Sequence, residues 1–317
     1  MSGAPVTKGT EDLFTQFKFL HEDILGYSSY YTFRNNACIM GGFETRQIVG
    51  YKPYAMQEIE RKIEAHTFRI TKKECLDLPD KIYSTRYVEL TDEQAKIYDK
   101  LEEDLQIDLD SIRQMKELQE NGETKKVDSA LMSAITKMLR MQQVVCGHFA
   151  HKEEDSDLLI ELPTNRIEVL IDCIEEAQGK VIVWSRFVAD IKRISKRLQE
   201  KKIYYRTYYG EVNTKEREVS IKEFRENPEC KVFLAQPASG GTGLNLAVAN
   251  TVIYFSNDFN ADTRWQSEDR AHRIGQKSNV NYIDLISLNT IDEDILKALK
   301  NKKNVAEALL DLPRKIK

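Results

Sequence analysis

Two arginines three positions apart, Arg270 and Arg273, sit in the run Gln266-Ser267-Glu268-Asp269-Arg270-Ala271-His272-Arg273-Ile274-Gly275-Gln276. On a helix that spacing projects both guanidiniums from one face. So placed, they could clamp a phosphate or neutralise charge developing on a transferred phosphoryl group. The same spacing also serves a surface salt-bridge face through Glu268 and Asp269, and His272 alone reads as a surface or packing residue. About twenty residues earlier lies Gln236-Pro237-Ala238-Ser239-Gly240-Gly241-Thr242-Gly243-Leu244-Asn245-Leu246. Three glycines in four positions, flanked by hydroxyls, let backbone N–H groups converge on an oxyanion. A tight turn without a ligand would use the same residues.

These loops need elements to hold them. Short apolar runs at 181–184, 203–209, 231–236, 251–256 and 281–287 read as strands. Helical spacing near 165–178, 187–200, 213–227, 262–273 and 291–303 alternates with them, and Thr290 with Glu293 has capping-box spacing. Such alternation predicts a parallel sheet covered on both faces, with ligands at the carboxyl ends of its strands. Upstream the pattern is helical. Thr91-Asp92-Glu93-Gln94 is a second capping box, and Tyr98, Leu101, Leu105, Leu109, Ile112 and Met115 continue one amphipathic helix to about residue 118. After Asn121-Gly122-Glu123 a second helix carries Leu131, Ile135, Met138 and Leu139, its methionines reading as core filler. Residues 38–50 fit a hairpin, and the lysine-rich 300–317 segment reads as a last helix packed on the domain.

The 317 residues, 41% hydrophobic and 31% charged, exclude a mainly disordered or fibrous chain. No apolar run approaches the roughly 18 residues of a membrane helix, and no signal pattern opens the chain. Cys38, Cys75, Cys146, Cys173 and Cys230 are scattered without a C-x-x-C pair, as reduced thiols in a cytosolic protein would be. The net charge of −4 hides a split: residues 180–317 carry 25 basic and 18 acidic side chains, a net of +7, and the remainder carries −11. The sequence contains no G-x-x-x-x-G-K-[ST] run, no acidic pair after an apolar strand, no metal cluster and no nucleophile triad. The arginines suit a phosphoryl transition state, and the phosphate cradle is missing.

The two loops at this spacing closely resemble motifs V and VI of Swi/Snf-family superfamily-2 DNA translocases. Other blocks follow in order. Val181-Ile182-Val183-Trp184-Ser185-Arg186-Phe187 resembles motif IV, and Tyr209-Gly210-Glu211 with Arg217 resembles block IVa. Leu76-Asp77-Leu78-Pro79-Asp80-Lys81 resembles the segment leading into the inter-lobe helices, and 139–149 a family helix end. Ser2-Gly3-Ala4-Pro5 resembles motif III, with alanine where threonine is usual, which removes that hydroxyl.

The resemblance implies an α/β, RecA-like parallel sheet with helices on both faces, preceded by a mainly α-helical protrusion region. It assigns 1–160 to the end of a first lobe plus the helical inter-lobe region. Residues 161–317 become the second RecA-like lobe with a C-terminal bracing helix. By the family's pattern Arg270 and Arg273 are arginine fingers, Gln266 orders their site, and Gly243 and Asn245 face the nucleotide. Ser185, Arg186, Gly210, Ala238, Ser239, Gly240 and Gly241 grip the phosphates of DNA without reading sequence. ATP and Mg2+ are then the cofactors, held mainly by an N-terminal Walker A/B lobe supplied in cis or trans, without which the chain is expected to be inactive. The expected partners are DNA and that lobe, with no membrane. The expected location is cytoplasmic, with a bacterial or viral source favoured, or nuclear in a eukaryote. The alternative is a standalone DNA- or protein-binding module from a split gene. An unrelated α/β phosphate-binding enzyme would require coincidence at six ordered blocks.

Overall fold

The computed structural model describes residues 10–41, 47–67, 77–117, 124–153, 156–239 and 244–301. The chain forms two compact units, 1–76 and 77–317. The strand Lys81–Tyr87, upstream of the expected division near residue 160, belongs to the sheet of the second unit.

In the first unit, α1 (Asp12–Leu20), α2 (Tyr30–Ala37) and α3 (Pro53–Glu64) enclose Phe14, Phe17, Phe33, Ala55 and Ile59. Ser29 caps α2 by accepting the Thr32 amide at 3.2 Å, and Pro53 opens α3 where no amide is needed. The hairpin expected over 38–50 is present as β1 (Cys38–Gly41) antiparallel to β2 (Gln47–Tyr51). The three helices were not read from the sequence. Ser2–Pro5, the motif III resemblance, lies outside the described residues, as does Cys75.

The second unit begins with β3 (Lys81–Tyr87), then the paired helices α4 (Asp92–Glu117) and α5 (Thr124–Cys146). The box at Thr91 is reciprocal: the Gln94 amide donates to Thr91 Oγ1 at 3.3 Å, and the Thr91 amide donates to Gln94 Oε1 at 3.1 Å. Leu105, Leu109 and Ile112 bury against Ala134, Met138 and Met141. A hairpin not expected from the sequence, β4 (His148–Glu153) with β5 (Ser156–Glu161), leads to α6 (Arg166–Glu176).

The expected alternation follows: β6 (Lys180–Trp184), α7 (Val188–Glu200), β7 (Tyr205–Tyr208), α8 (Thr214–Glu226), β8 (Val232–Ala235), β9 (Ala249–Tyr254), α9 (Ala261–Ala271), β10 (Val280–Ile286) and α10 (Ile291–Lys300). The sheet has six strands in the order β3-β10-β9-β6-β8-β7, every neighbouring pair parallel. Both faces are dry. Val181, Val183, Val232 and Leu234 pack on Leu170, Ile174, Ile191 and Ile194 from α6 and α7. Their neighbours Ile182, Trp184 and Phe233 pack opposite, with Phe224 and Ala271 from α8 and α9. Period-two alternation on a strand buried on both faces gives this unbroken apolar run. At Thr290 the cap is simpler than expected: its hydroxyl accepts the Asp292 amide at 3.3 Å and donates to Ser287 O, and no Glu293 side-chain bond closes a box.

Candidate functional site

The loops leaving the carboxyl ends of β6, β7, β8 and β9 gather at one edge of the sheet. Ser185, expected at a DNA phosphate, is instead fully buried. Its hydroxyl donates to Asp190 Oδ2 at 2.7 Å and lies 3.1 Å from Ser256 Oγ, while Asp190 Oδ1 lies 3.0 Å from His148 Nδ1. Continuing the strand's alternation turns this side chain inward, where it ties β6 to the first turn of α7. Arg186 is the residue that reaches the surface, its side chain 29% exposed. Its amide donates to Ser256 Oγ at 2.9 Å, and Nη1 donates to Gln142 Oε1 at 2.7 Å and lies 3.8 Å from Asp258.

Gln236 joins this loop to the next. Its Nε2 donates to Arg186 O at 2.8 Å, and its Oε1 accepts from Ser239 Oγ at 3.0 Å. Ala238 is exposed on the 3₁₀ turn Pro237–Ser239. Gly210 is adjacent, a side chain there meeting only Ser239 Oγ at 4.0 Å. Arg186, Gln236, Ala238, Asn257 and Thr263 line a cavity of about 170 Å³. Gly240, Gly241 and Gly243 lie outside the described residues.

Below this cavity Arg264 anchors α9 to the sheet. Its Nη1 and Nη2 donate to the two Asp284 oxygens at 2.5 and 3.0 Å, and Nε donates to Glu268 at 3.0 Å. Nη1 also reaches Asn257 Oδ1 at 2.7 Å, and the guanidinium stacks 3.4 Å above the Tyr254 ring. Burial opposes its charge, but Tyr254 and Asp284 more than offset this and hold its pKa above the ordinary arginine value. A second buried pair, Arg166 with Asp292, joins α6 to α10, and Arg166 Nη1 donates to Phe255 O at 2.7 Å.

The remaining expected residues gather toward the amino end of β9, where α9 ends. Residues 236–239 follow the carboxyl end of β8, and residues 244–248 precede the amino end of β9. There the Leu246 amide donates to Arg270 O at 3.0 Å. Arg273 Nη1 donates to Leu244 O at 3.0 Å, and Asn245 Oδ1 accepts the Ala247 amide at 3.2 Å. His272 Nε2 meets Pro79 O at 2.7 Å just before β3, and Gln276 Nε2 donates to Ala249 O at 2.8 Å. Gly275 has φ +102°, which favours glycine where the chain turns back toward β10. Partial burial, then the Arg273 cation, pushes Arg270 below the ordinary arginine range. A bound anion would relieve that repulsion. Gln266 is exposed one turn before Arg270, on the same stripe of α9.

The expected residues thus separate into two groups. Arg186, Gly210, Ala238 and Ser239 lie on the carboxyl edge, and Asn245, Arg270 and Arg273 on the amino edge. The sequence reading missed the scaffold: Gln142, His148, Asp190, Asn257, Arg264 and Asp284. Gln142 and His148 fall in the 139–149 resemblance, and Arg264 and Glu268 have the i,i+4 spacing of a helical ion pair.

A doubly covered parallel sheet with phosphate-ready loops defines a RecA-like α/β lobe. Residues 1–150 match the SNF2-related domain and residues 165–275 the helicase conserved C-terminal domain, and the chain belongs to the Swi/Snf family of helicase-related proteins. It is 27% identical, over 98% of its length, to an uncharacterized ATP-dependent helicase of Mycoplasma genitalium, and spans 27% of that relative. The Sulfolobus solfataricus SWI2/SNF2 ATPase core in complex with dsDNA is 28% identical over 98% of this chain and 61% of its own, with TM-score 0.52. The C-terminal domain of the Sulfolobus solfataricus enzyme alone matches 74% of this chain and 95% of its own, at 26% identity and TM-score 0.51.

Proposed function

We propose that residues 77–317 act as the second lobe of an ATP-driven translocase on double-stranded DNA. One observation supports this reading: Arg270 and Arg273 bond the segment before the amino end of β9, whereas Arg186, Gly210 and Ala238 follow the carboxyl ends of β6, β7 and β8 in the same sheet. A change at the amino edge can then move the carboxyl edge as a body. ATP supplies a γ-phosphoryl group whose transfer to water develops charge on its oxygens. Arg270 enters the cleft toward that charge, worth roughly 10³–10⁵ in rate for arginine fingers elsewhere. Arg273 joins it while holding Leu244 O, so the loop and the helix end move together. Gln266 and Asn245 border the same surface, and Gly243 stands two positions before Asn245 in the sequence. Arg186, Ala238, Ser239 and Gly210, with Gly240 and Gly241, hold one DNA strand through its phosphates, independent of sequence and weakened by salt.

Two arginines fit a nucleotide's phosphates. Among the described residues no cluster of three His, Cys, Asp or Glu side chains could hold a metal ion. By the family's pattern Mg2+ is assigned mainly to the partner lobe. Among them, too, no helix is long and apolar enough to cross a membrane. The test is ATP hydrolysis by this chain alone and joined to a P-loop lobe, with duplex, single-stranded and forked DNA. Negligible activity alone and DNA-stimulated activity when joined are expected. DNA-stimulated turnover by this chain alone would overturn the half-site reading. Intact DNA binding without turnover in the joined form would favour the standalone module.

A further inference from the structure

The sheet ends at β7, whose one neighbour in the sheet is β8. Tyr204 O accepts the Lys231 and Val232 amides, and Tyr208 O accepts the Gln236 amide. In a parallel pair the residues that bond a given neighbour recur with period two. Tyr204, Arg206 and Tyr208 therefore face β8, and Tyr205 and Thr207 turn their amides and carbonyls to the open edge. That edge forms the floor of a groove of about 1080 Å³, walled by Lys192, Lys196 and Gln199 of α7 and by Lys215 and Val219 of α8. Val219 is 52% exposed on its wall, and Tyr205 is fixed by the bond from Gln199 Nε2 at 2.9 Å.

Charge selects the occupant. Lys192, Lys196, Lys202, Arg206 and Lys215 line the groove against Glu211 and Glu216. Lys192 is paired with Glu211 at 2.9 Å and Arg206 lies 3.6 Å from Glu223. Lys196, Lys202 and Lys215 have no ion-pair partner among the described residues. A second copy of this edge would bring the same cations and be repelled. A phosphodiester strand would satisfy the lysines, but its phosphates could only accept and would leave the outward carbonyls unpaired.

We propose that this groove binds an extended acidic segment of a partner polypeptide, which adds to β7 as a seventh strand. Backbone pairing at Tyr205 and Thr207 sets its register, and its carboxylates meet the lysines of both helices. The groove borders the proposed DNA group at Gly210, whose neighbours Tyr209 and Glu211 line it, and its occupancy does not depend on turnover.

The probe is an acetylated heptapeptide alternating glutamate with valine, titrated into the full chain without ATP or DNA. Amide exchange should slow about tenfold at Tyr205 and Thr207 and stay unchanged at Arg206 and Tyr208, which are already paired. Methylating alternate peptide amides should abolish binding, as should Thr207→Pro, which removes an outward amide and spares the β8 ladder. Lys196→Glu with Lys215→Glu should weaken binding about tenfold or more, a readout that stands if the proline variant fails to fold. No binding, or equal binding of the methylated or a lysine-valine peptide, would each overturn the proposal.

Discussion

The two edges of the six-stranded sheet are built differently. At the carboxyl edge, loops are held by side chains: Ser185 on Asp190, Arg186 on Gln142, Gln236 on Ser239, and Arg264 on Asp284. At the amino edge, His272, Arg273 and Gln276 hold backbone carbonyls of neighbouring segments. The first arrangement fixes a surface, because each buried polar group would lose its partner if the loop shifted. The second brings two like-charged arginines together where α9 ends. The contrast fits a part that grips at one edge and senses nucleotide at the other.

The sharpest way to break this contrast is Arg270→Ala in the protein joined to a P-loop lobe. Turnover should fall by ~10³-fold or more, with duplex affinity within about twofold of the parent. An equal loss of DNA binding would merge the two edges into one site. Next in size is Asp284→Ala, which removes the bidentate partner of the buried Arg264 guanidinium, leaves it Glu268 and Asn257, and should cost about 3 kcal/mol in urea unfolding. Adding Arg264→Met should restore part of that loss, because the under-compensated charge is then removed as well. Arg186→Ala is milder: it should weaken duplex DNA and lower the slope of log affinity against log salt by about 1. An unchanged slope would assign Arg186 wholly to the Gln142 clasp.

What the sequence disclosed follows from where each partner lies along the chain. The Thr91–Gln94 cap is local, and it stands as read. β6, β8 and β9 are buried on both faces, so their apolar runs were conspicuous. β3, KIYSTRY, is an edge strand exposed beyond Lys81 and lacks such a run, so the sixth strand went unread. Ser185 was placed at DNA because the letter does not show which way the side chain turns; Asp190 and His148 decide that. Arg264 was passed over because its main partner, Asp284, lies 20 residues further on across the sheet. The two-edge division was hidden for a related reason: residues 236–246 read as one loop, yet 236–239 follow the carboxyl end of β8 and 244–246 precede the amino end of β9.

A finer version of the comparison lies in the backbone. Among the described residues each edge carries one non-glycine residue in the left-handed region: Lys202 with φ 58° before β7, and Asn289 with φ 57° after β10. Lys202 closes α7 in a Schellman turn, its amide bonding Gln199 O at 3.0 Å and the Ile203 amide bonding Leu198 O at 2.9 Å. Lysine lacks the short polar side chain that makes this conformation tolerable for asparagine, so the turn is held against a local cost. Lys202→Gly should therefore raise unfolding free energy by up to about 1 kcal/mol, whereas Asn289→Gly should change it by only a few tenths. The measurement is the shift in urea midpoint at constant slope. Equal shifts at both positions would mean that the left-handed residue costs the same at the two edges, whatever side chain occupies it.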